Sequence, residues 1–274
     1  MAFISSRTRK GLGLKFEEGR PTTFGLERMR LTGEAAPKEF LEHEDHIPVV
    51  NGRRVIQDQG ATSTCVGQTF VAALHMAEMK QGLEFDPVSV LYPYYHSRRD
   101  HDAHLTDNGT YLRTLAHALR VQGACSEQYW KWSQLGWKVN RRPNWNAMRF
   151  AHPRRGGKYV RIYETGQQRI DAIQQAILNG HNVAFGTRVG VSFLPARGVG
   201  FINAPPTTEK IAGNHAMLII GWKTFGDALY FRVLNSWGRN WRDGGLCWMS
   251  VDYLTQSYTN DLHVIYGWRR LGGS

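Results

Sequence analysis

The sequence predicts an α+β fold of two lobes, helical in its front half and mostly sheet in its back half. Three observations predict it. Apolar residues recur at helical spacing between residues 65 and 121, and aromatic and β-branched runs separated by glycine turns dominate after residue 181. A chain of 274 residues with 42% hydrophobic and 12% aromatic content can also bury a sizeable core, as one domain or two tightly packed halves.

The elements follow in order. The first 40 or so residues are basic, contain glycine and lack strong periodicity, so they are expected to form an extended arm. A helix is predicted over about 65 to 80, where Val66, Phe70, Val71, Leu74 and Met76, with Ala72 and Ala73, share a helical repeat. Gly82 ends that pattern, and Thr62, Ser63 and Thr64 are all suitable amino caps. Further helices are predicted at about 87 to 96, 109 to 121 and 167 to 179, the last stopped by Asn179-Gly180. Residues 141 to 163 hold seven Arg or Lys and no acid, with Trp145, Phe150 and Tyr159 between them. This segment is either a solvated connector between the halves or a nucleic-acid surface using phosphate contact and stacking, carried by Arg141, Arg142, Arg154 and Arg155. Strands are predicted at NVAFGTRV, HAMLIIGWK, ALYFRVLNS and LCWMSV.

Several classes are excluded or disfavoured by composition. No run approaches the roughly 18 apolar residues of a membrane span, and MAFISSRTRKGLGLKF has charges where a secretory apolar core belongs. Three scattered cysteines, Cys65, Cys125 and Cys247, do not make a disulfide scaffold or a zinc knuckle, and they suit a reducing compartment. Cys125 and Cys247 are expected to be small packing residues. His96, His101 and His104 share a loop with Asp100 and Asp102, but at irregular spacing, so no metal or other cofactor is expected. A net charge of +11 favours acidic partners without naming one.

The stretch QDQGATSTCVGQTFVAAL places Cys65 between a polar, glycine-bearing turn and an apolar helix. A helix amino end carries unpaired N–H groups and partial positive charge, which push a thiol there toward thiolate. Taken singly, Cys65 is either a nucleophile or a small buried core residue. GNHAMLIIGW sets His215 at the start of an apolar strand, where an imidazole can serve as the base or simply pack. In YFRVLNSWGRNWRDGG, Asn235 ends a strand beside Trp237 and could orient an imidazole or be an ordinary turn residue.

Taken together and in this order, Gln59 with Cys65, then NHAMLIIGW, then NSWGRNW with a following GG, resemble the papain-like cysteine peptidases. His215 and Asn235 lie 150 and 170 residues after Cys65, slightly beyond the usual separation in that family. SVLYPYYHSRRD, DNGTYLRTLAHALRVQGACSEQYWKW and IDAIQQAILNGHNVAFGTRVGVSFL extend the resemblance, notably to bacterial and phage-type members, over about residues 48 to 256. The resemblance implies a helical lobe at about 60 to 140 and a β lobe at about 160 to 256, with the active site in the cleft between. The peptidase domain would run from 46 to 260, after an arm of residues 1 to 45 and before a tail of residues 261 to 274.

It also implies roles. Cys65 would be the nucleophile, His215 the base, Asn235 its orienting partner, and Gln59 a donor to the oxyanion hole. Trp237 would shield the Asn235–His215 bond from water and border the substrate site, and Asn108 and Gly109 would run beside a bound peptide. The sequence departs from the family where Thr62 and Val66 replace a cysteine and a cleft tryptophan, and where Thr110 follows Gly109 in place of a second glycine. The 45 residues before HIPVVNGRRVIQDQG also lack the helical pattern of the family's inhibitory leader, which argues against zymogen control of that kind. The implied activity is hydrolysis of a peptide or protein substrate, in the cytoplasm or in a virion, with the basic arm docking the protein to a larger assembly such as a phage particle. The alternative is a structural component of such an assembly that keeps the fold with little activity.

Overall fold

The computed structural model of the chain describes residues 11–16, 37–99, 105–195, 198, 200–256, 258–268 and 270. Three short strands, β1 (Glu39–Phe40), β2 (Val49–Val50) and β3 (Arg53–Arg54), precede the central helix α1 (Cys65–Lys80). Helices α2 (Leu91–Arg99) and α3 (Leu112–Gln122) pack beside it, and two short helices, α4 (Gly136–Val139) and α5 (Trp145–Arg149), lead out of the front lobe. Helix α2 begins four residues later than the sequence pattern suggests, because Val88 pairs with Ser126 in a β-bridge and holds the preceding residues extended.

The back lobe is built on an eight-stranded sheet. Strand β4 (Lys158–Arg161) precedes helix α6 (Gly166–Leu178) and strands β5 (Asn182–Gly190), β6 (Phe201–Ile202), β7 (Ile211–Phe225), β8 (Ala228–Leu234) and β9 (Leu246–Ser250). Helix α7 (Val251–Thr255) and strand β10 (Thr259–Tyr266) complete it. The order is β4-β10-β5-β7-β8-β9-β6, with β1 also on β7, and every pairing is antiparallel except β6 with β9.

The four predicted strands are present as β5, β7, β8 and β9, while β10 carries ordered sheet past residue 260 to Tyr266. TNDLHVIY was hidden because its alternation is broken by Asp261 and His263, which are both buried and bond each other at 2.9 Å. The 141–163 segment is only partly a solvated connector: its end is edge strand β4, and Arg154 is buried against Glu78 of α1 and Asp86 at 2.6 and 2.9 Å.

The two faces of β7 divide the core. Ala216, Leu218 and Ile220 join Val66, Phe70, Val71 and Leu74 of α1, whereas Met217 and Ile219 join Ile170, Ile173 and Ile177 of α6. Strand alternation thus puts one helix on each side of a shared sheet. Cys125 and Cys247 are buried one in each cluster, and burial pushes both thiols up to about 12.

Candidate active site

The cleft has a helical wall and a sheet wall. On the helical side, the turn before α1 is closed on itself: Thr62 N–H and Oγ–H both donate to Gln59 O, and the Thr62 and Thr64 hydroxyls lie 2.8 Å apart. This turn delivers Cys65 as the first residue of α1. Its sulfur accepts backbone N–H groups from Ala216, Gly13 and Val66, each of which favours thiolate, yet complete burial dominates and pushes the thiol up to about 11. Ala216 directly follows His215, so Cys65 lies against the histidine strand. Val66 is fully buried in the core and does not line the cleft.

On the sheet side, the antiparallel pairing of β7 and β8 aligns Leu218 with Leu234. Continued outward, that register brings His215 toward Asn235 and Trp237 at the same end of the hairpin. His215 Nε2 and Asn235 Oδ1 lie 2.7 Å apart, and both residues are buried. The Trp237 ring stacks on His215 with centroids 4.6 Å apart, and Phe193 and Trp241 pack edge-on against Trp237 at 5.4 and 5.6 Å. An aromatic cage therefore fixes the imidazole plane and excludes water from its bond to Asn235.

Ser236 links the walls and escaped the sequence reading. Its N–H donates to Asn235 Oδ1 at 2.7 Å, and its hydroxyl donates to Gln59 Oε1 at 2.6 Å. Gln59, fully buried, is thereby turned so that Nε2 points into the cleft. The loop at the cleft edge is fixed by Asp107, which accepts Ser63 N–H at 3.0 Å and the Tyr94 hydroxyl at 2.8 Å. Gly109 N–H donates to that same hydroxyl. Asn108 is exposed and turned to Thr106 Oγ, so within this loop the backbone of Gly109 and Thr110 faces the cleft.

The cleft is already filled by the chain's own Gly11–Phe16. Gln59 Nε2 donates to Gly11 O at 2.9 Å, Gly11 N–H donates to Gly60 O at 3.0 Å, and Leu14 N–H reaches Asn214 O at 3.5 Å. Thr110 pairs with Leu14 as a parallel bridge, through Thr110 N–H to Gly13 O at 2.9 Å and Lys15 N–H to Thr110 O at 3.0 Å. The Leu14 side chain is buried over Gly186. Glycine is required twice in this segment, since a Cβ at Gly11 or Gly13 would fall 1.7 or 1.9 Å from the Thr62 or Ser63 carbonyl oxygen. Gly109 is required as well: φ is +81°, and its Cβ would meet Gly13 O at 1.6 Å.

Among the described residues no group of three or more His, Cys, Asp or Glu side chains could hold a metal. His96 lies within α2 and is buried, so it is part of a packed helix rather than of a loop, and residues 100–104 lie outside the described residues. No helix among the described residues is long and apolar enough to cross a membrane.

A two-lobed fold with a cysteine at a helix start, facing a histidine–asparagine pair on a sheet, defines the class of thiol hydrolases with the papain architecture. Residues 57–263 match the papain family of cysteine proteases, and the chain belongs to that family. An uncharacterized peptidase C1-like protein of Acanthamoeba polyphaga mimivirus is 30% identical over 217 residues, 76% of this chain and 68% of that protein. Among solved structures, xylellain, a cysteine protease from Xylella fastidiosa, superposes with a TM-score of 0.78 at 21% identity, covering 96% of this chain and 98% of its own. A cysteine protease of Carica candamarcensis, solved with E-64, gives a TM-score of 0.61 at 15% identity over 86% of this chain and all of that one.

Proposed function

We propose that this papain-family cysteine peptidase cleaves peptide bonds through Cys65, His215, Asn235 and Gln59, and that Gly11–Phe16 hold it in a closed, latent state. Cys65 attacks the peptide carbonyl, giving its proton to His215, which passes it to the leaving amine. Water, deprotonated by His215, then hydrolyses the thioester, and the acid product leaves with the thiol restored. Asn235 keeps the imidazole in the orientation and tautomer this requires. Gln59 Nε2 donates to the oxyanion of each tetrahedral intermediate.

One observation carries this reading: Gln59 Nε2 already binds a peptide carbonyl, that of Gly11, in the cleft beside Cys65. The sulfur meanwhile accepts the Gly13 N–H. Facing a donor leaves it without a carbonyl carbon to attack, so the arm should occupy the cleft without being cut.

The test is intact mass after E-64 under reducing conditions, on wild type, Cys65→Ala, His215→Ala and a chain lacking residues 1–16. Slow labelling of wild type, fast labelling of the shortened chain and none of the two point variants is the expected pattern. A shortened chain that is folded, and whose Cys65 reacts with a small thiol reagent no faster than an ordinary cysteine, overturns it in favour of a structural component that retains the fold.

Two finer parts of the reading concern partners. The +11 charge and the basic residues before Pro37 favour docking on a larger acidic assembly, for which a phage particle is our candidate; co-sedimentation with that particle tests it, and a chain left in the supernatant refutes it. For nucleic acid, the ion pairs of Arg154 remove it from the surface, leaving Arg141, Arg142 and Arg155 exposed near Trp145 and Phe150. Replacing those three should flatten the salt dependence of DNA affinity, and an unchanged slope disposes of that role.

A further inference from the structure

The end of α1 remote from Cys65, about 20 Å along the helix, borders a second cavity of about 580 Å³. That is within the usual range for small-molecule sites. Part of its wall is the apolar surface of α1 and β10, and Trp268 adds an aromatic face. The polar part is one-sided: Lys80, His43, His46 and His181 line the cavity, and no Asp or Glu does.

These groups are close enough to sense one another. Burial lowers the proton affinity of all three histidines first, to about 4 for His43, and the Lys80 charge lowers each further. Among the described residues the Lys80 ammonium donates only to a backbone carbonyl, Gly180 O at 3.2 Å, and the indole N–H of Trp268, nearly buried, has no acceptor among them. Burial and the Lys80 charge keep the imidazoles neutral, so the charge of the cavity is that of Lys80, with Asp45 and Glu42 acting on His46 from outside the lining and no carboxylate within it. A metal ion does not fit it, because the imidazoles do not converge as a ligand set and Lys80 repels a cation.

We propose that this cavity binds a small organic anion, an apolar or aromatic body carrying a phosphate or carboxylate head. Lys80 and the N–H groups of His46 and His181 meet the head, while Trp268 and the apolar wall cover the body; the His43 N–H is already given to Asn182 Oδ1 at 2.6 Å. The site is separate from the cleft and does not depend on peptidase activity.

Titration calorimetry on the full chain with phenyl phosphate, benzoate, inorganic phosphate and phenol tests it. Saturable binding of phenyl phosphate or benzoate is expected, at least about tenfold tighter than phenol or inorganic phosphate, and the tighter of the two organic anions identifies the head. Lys80→Gln and His181→Gln should each weaken binding about tenfold or more, with the E-64 labelling rate unchanged. Lys80 is exposed and His181 is only half-buried, so both variants should fold. The proposal is overturned by absence of saturable binding of either organic anion, by equal binding of phenol or inorganic phosphate, or by indifference of both variants.

Discussion

The two walls of the cleft are held in place by different means. On the sheet wall, His215 is fixed by packing: Trp237 stacks on it, Phe193 and Trp241 brace Trp237, and Asn235 supplies a single short hydrogen bond. On the helical wall, Gln59, Cys65 and Thr110 are fixed by hydrogen bonds to backbone, to Ser236 and to the chain's own arm. The sheet wall is therefore built once, as the protein folds, whereas the helical wall has a face that the arm covers or leaves bare. Rigidity resides in rings and access in glycines.

The sharpest way to break this comparison is to remove one group from each wall. Gln59→Ala should lower turnover of an open enzyme by about 100-fold or more, measured as kcat on a chain lacking residues 1–16, and should cost about 1–3 kcal/mol of stability by leaving the buried Ser236 hydroxyl without its acceptor. Trp237→Ala should behave in the opposite sense, costing about 3–5 kcal/mol of folding stability in chemical denaturation because it empties the cage as well as exposing the Asn235–His215 bond. If the glutamine variant unfolds and the tryptophan variant does not, the division between the walls is wrong.

Gly13→Val tests access alone. Its side chain cannot fit against the Ser63 carbonyl, so the arm should leave and E-64 labelling of Cys65 should speed up by at least about tenfold. Because burial is the main cause that raises the Cys65 thiol to about 11, the thiolate absorbance of this variant should titrate at lower pH than that of wild type. A variant with wild-type labelling and titration would show that the arm does not control the thiol.

A further effect lies outside the cleft. His75 is buried at the middle of α1 with Nε2 accepting Val88 N–H at 2.9 Å, and burial holds its pKa down to about 3. The folded chain thus keeps it neutral where the unfolded chain protonates it. Its contribution is complete above about pH 6.5 and is lost as pH falls toward 3, by up to about 1.4 kcal/mol per pH unit. Denaturation midpoints should fall on acidification, and less steeply for His75→Gln.

How much could be read beforehand depended on the sequence distance of each contact. The α+β class, the helix starting at Cys65 and the strand bearing His215 are each coded within a short window by periodicity, caps and β-branched residues. Ser236 escaped notice because its hydroxyl partner, Gln59, is 177 positions away, and the Asp107 bond to Ser63 spans 44. Strand β10 was missed since a buried Asp–His pair imitates a polar loop. The glycines of GLGL read only as part of an extended arm, because the wall that excludes a Cβ there is made by residues some 50 positions later. Asn108 was named for its neighbourhood, yet Thr110 makes the backbone pairing.

The tether has a kinetic consequence. Since Gly11–Phe16 belong to the same chain as the cleft, their competition with substrate is unimolecular, and dilution does not weaken it. A tethered segment can act at an effective concentration of up to about millimolar. Substrate at micromolar levels then meets an inhibitor in large excess, so the apparent KM should be raised while kcat at saturation is preserved. Whatever draws the arm away, whether proteolysis or docking, would act as an activator without touching a catalytic atom.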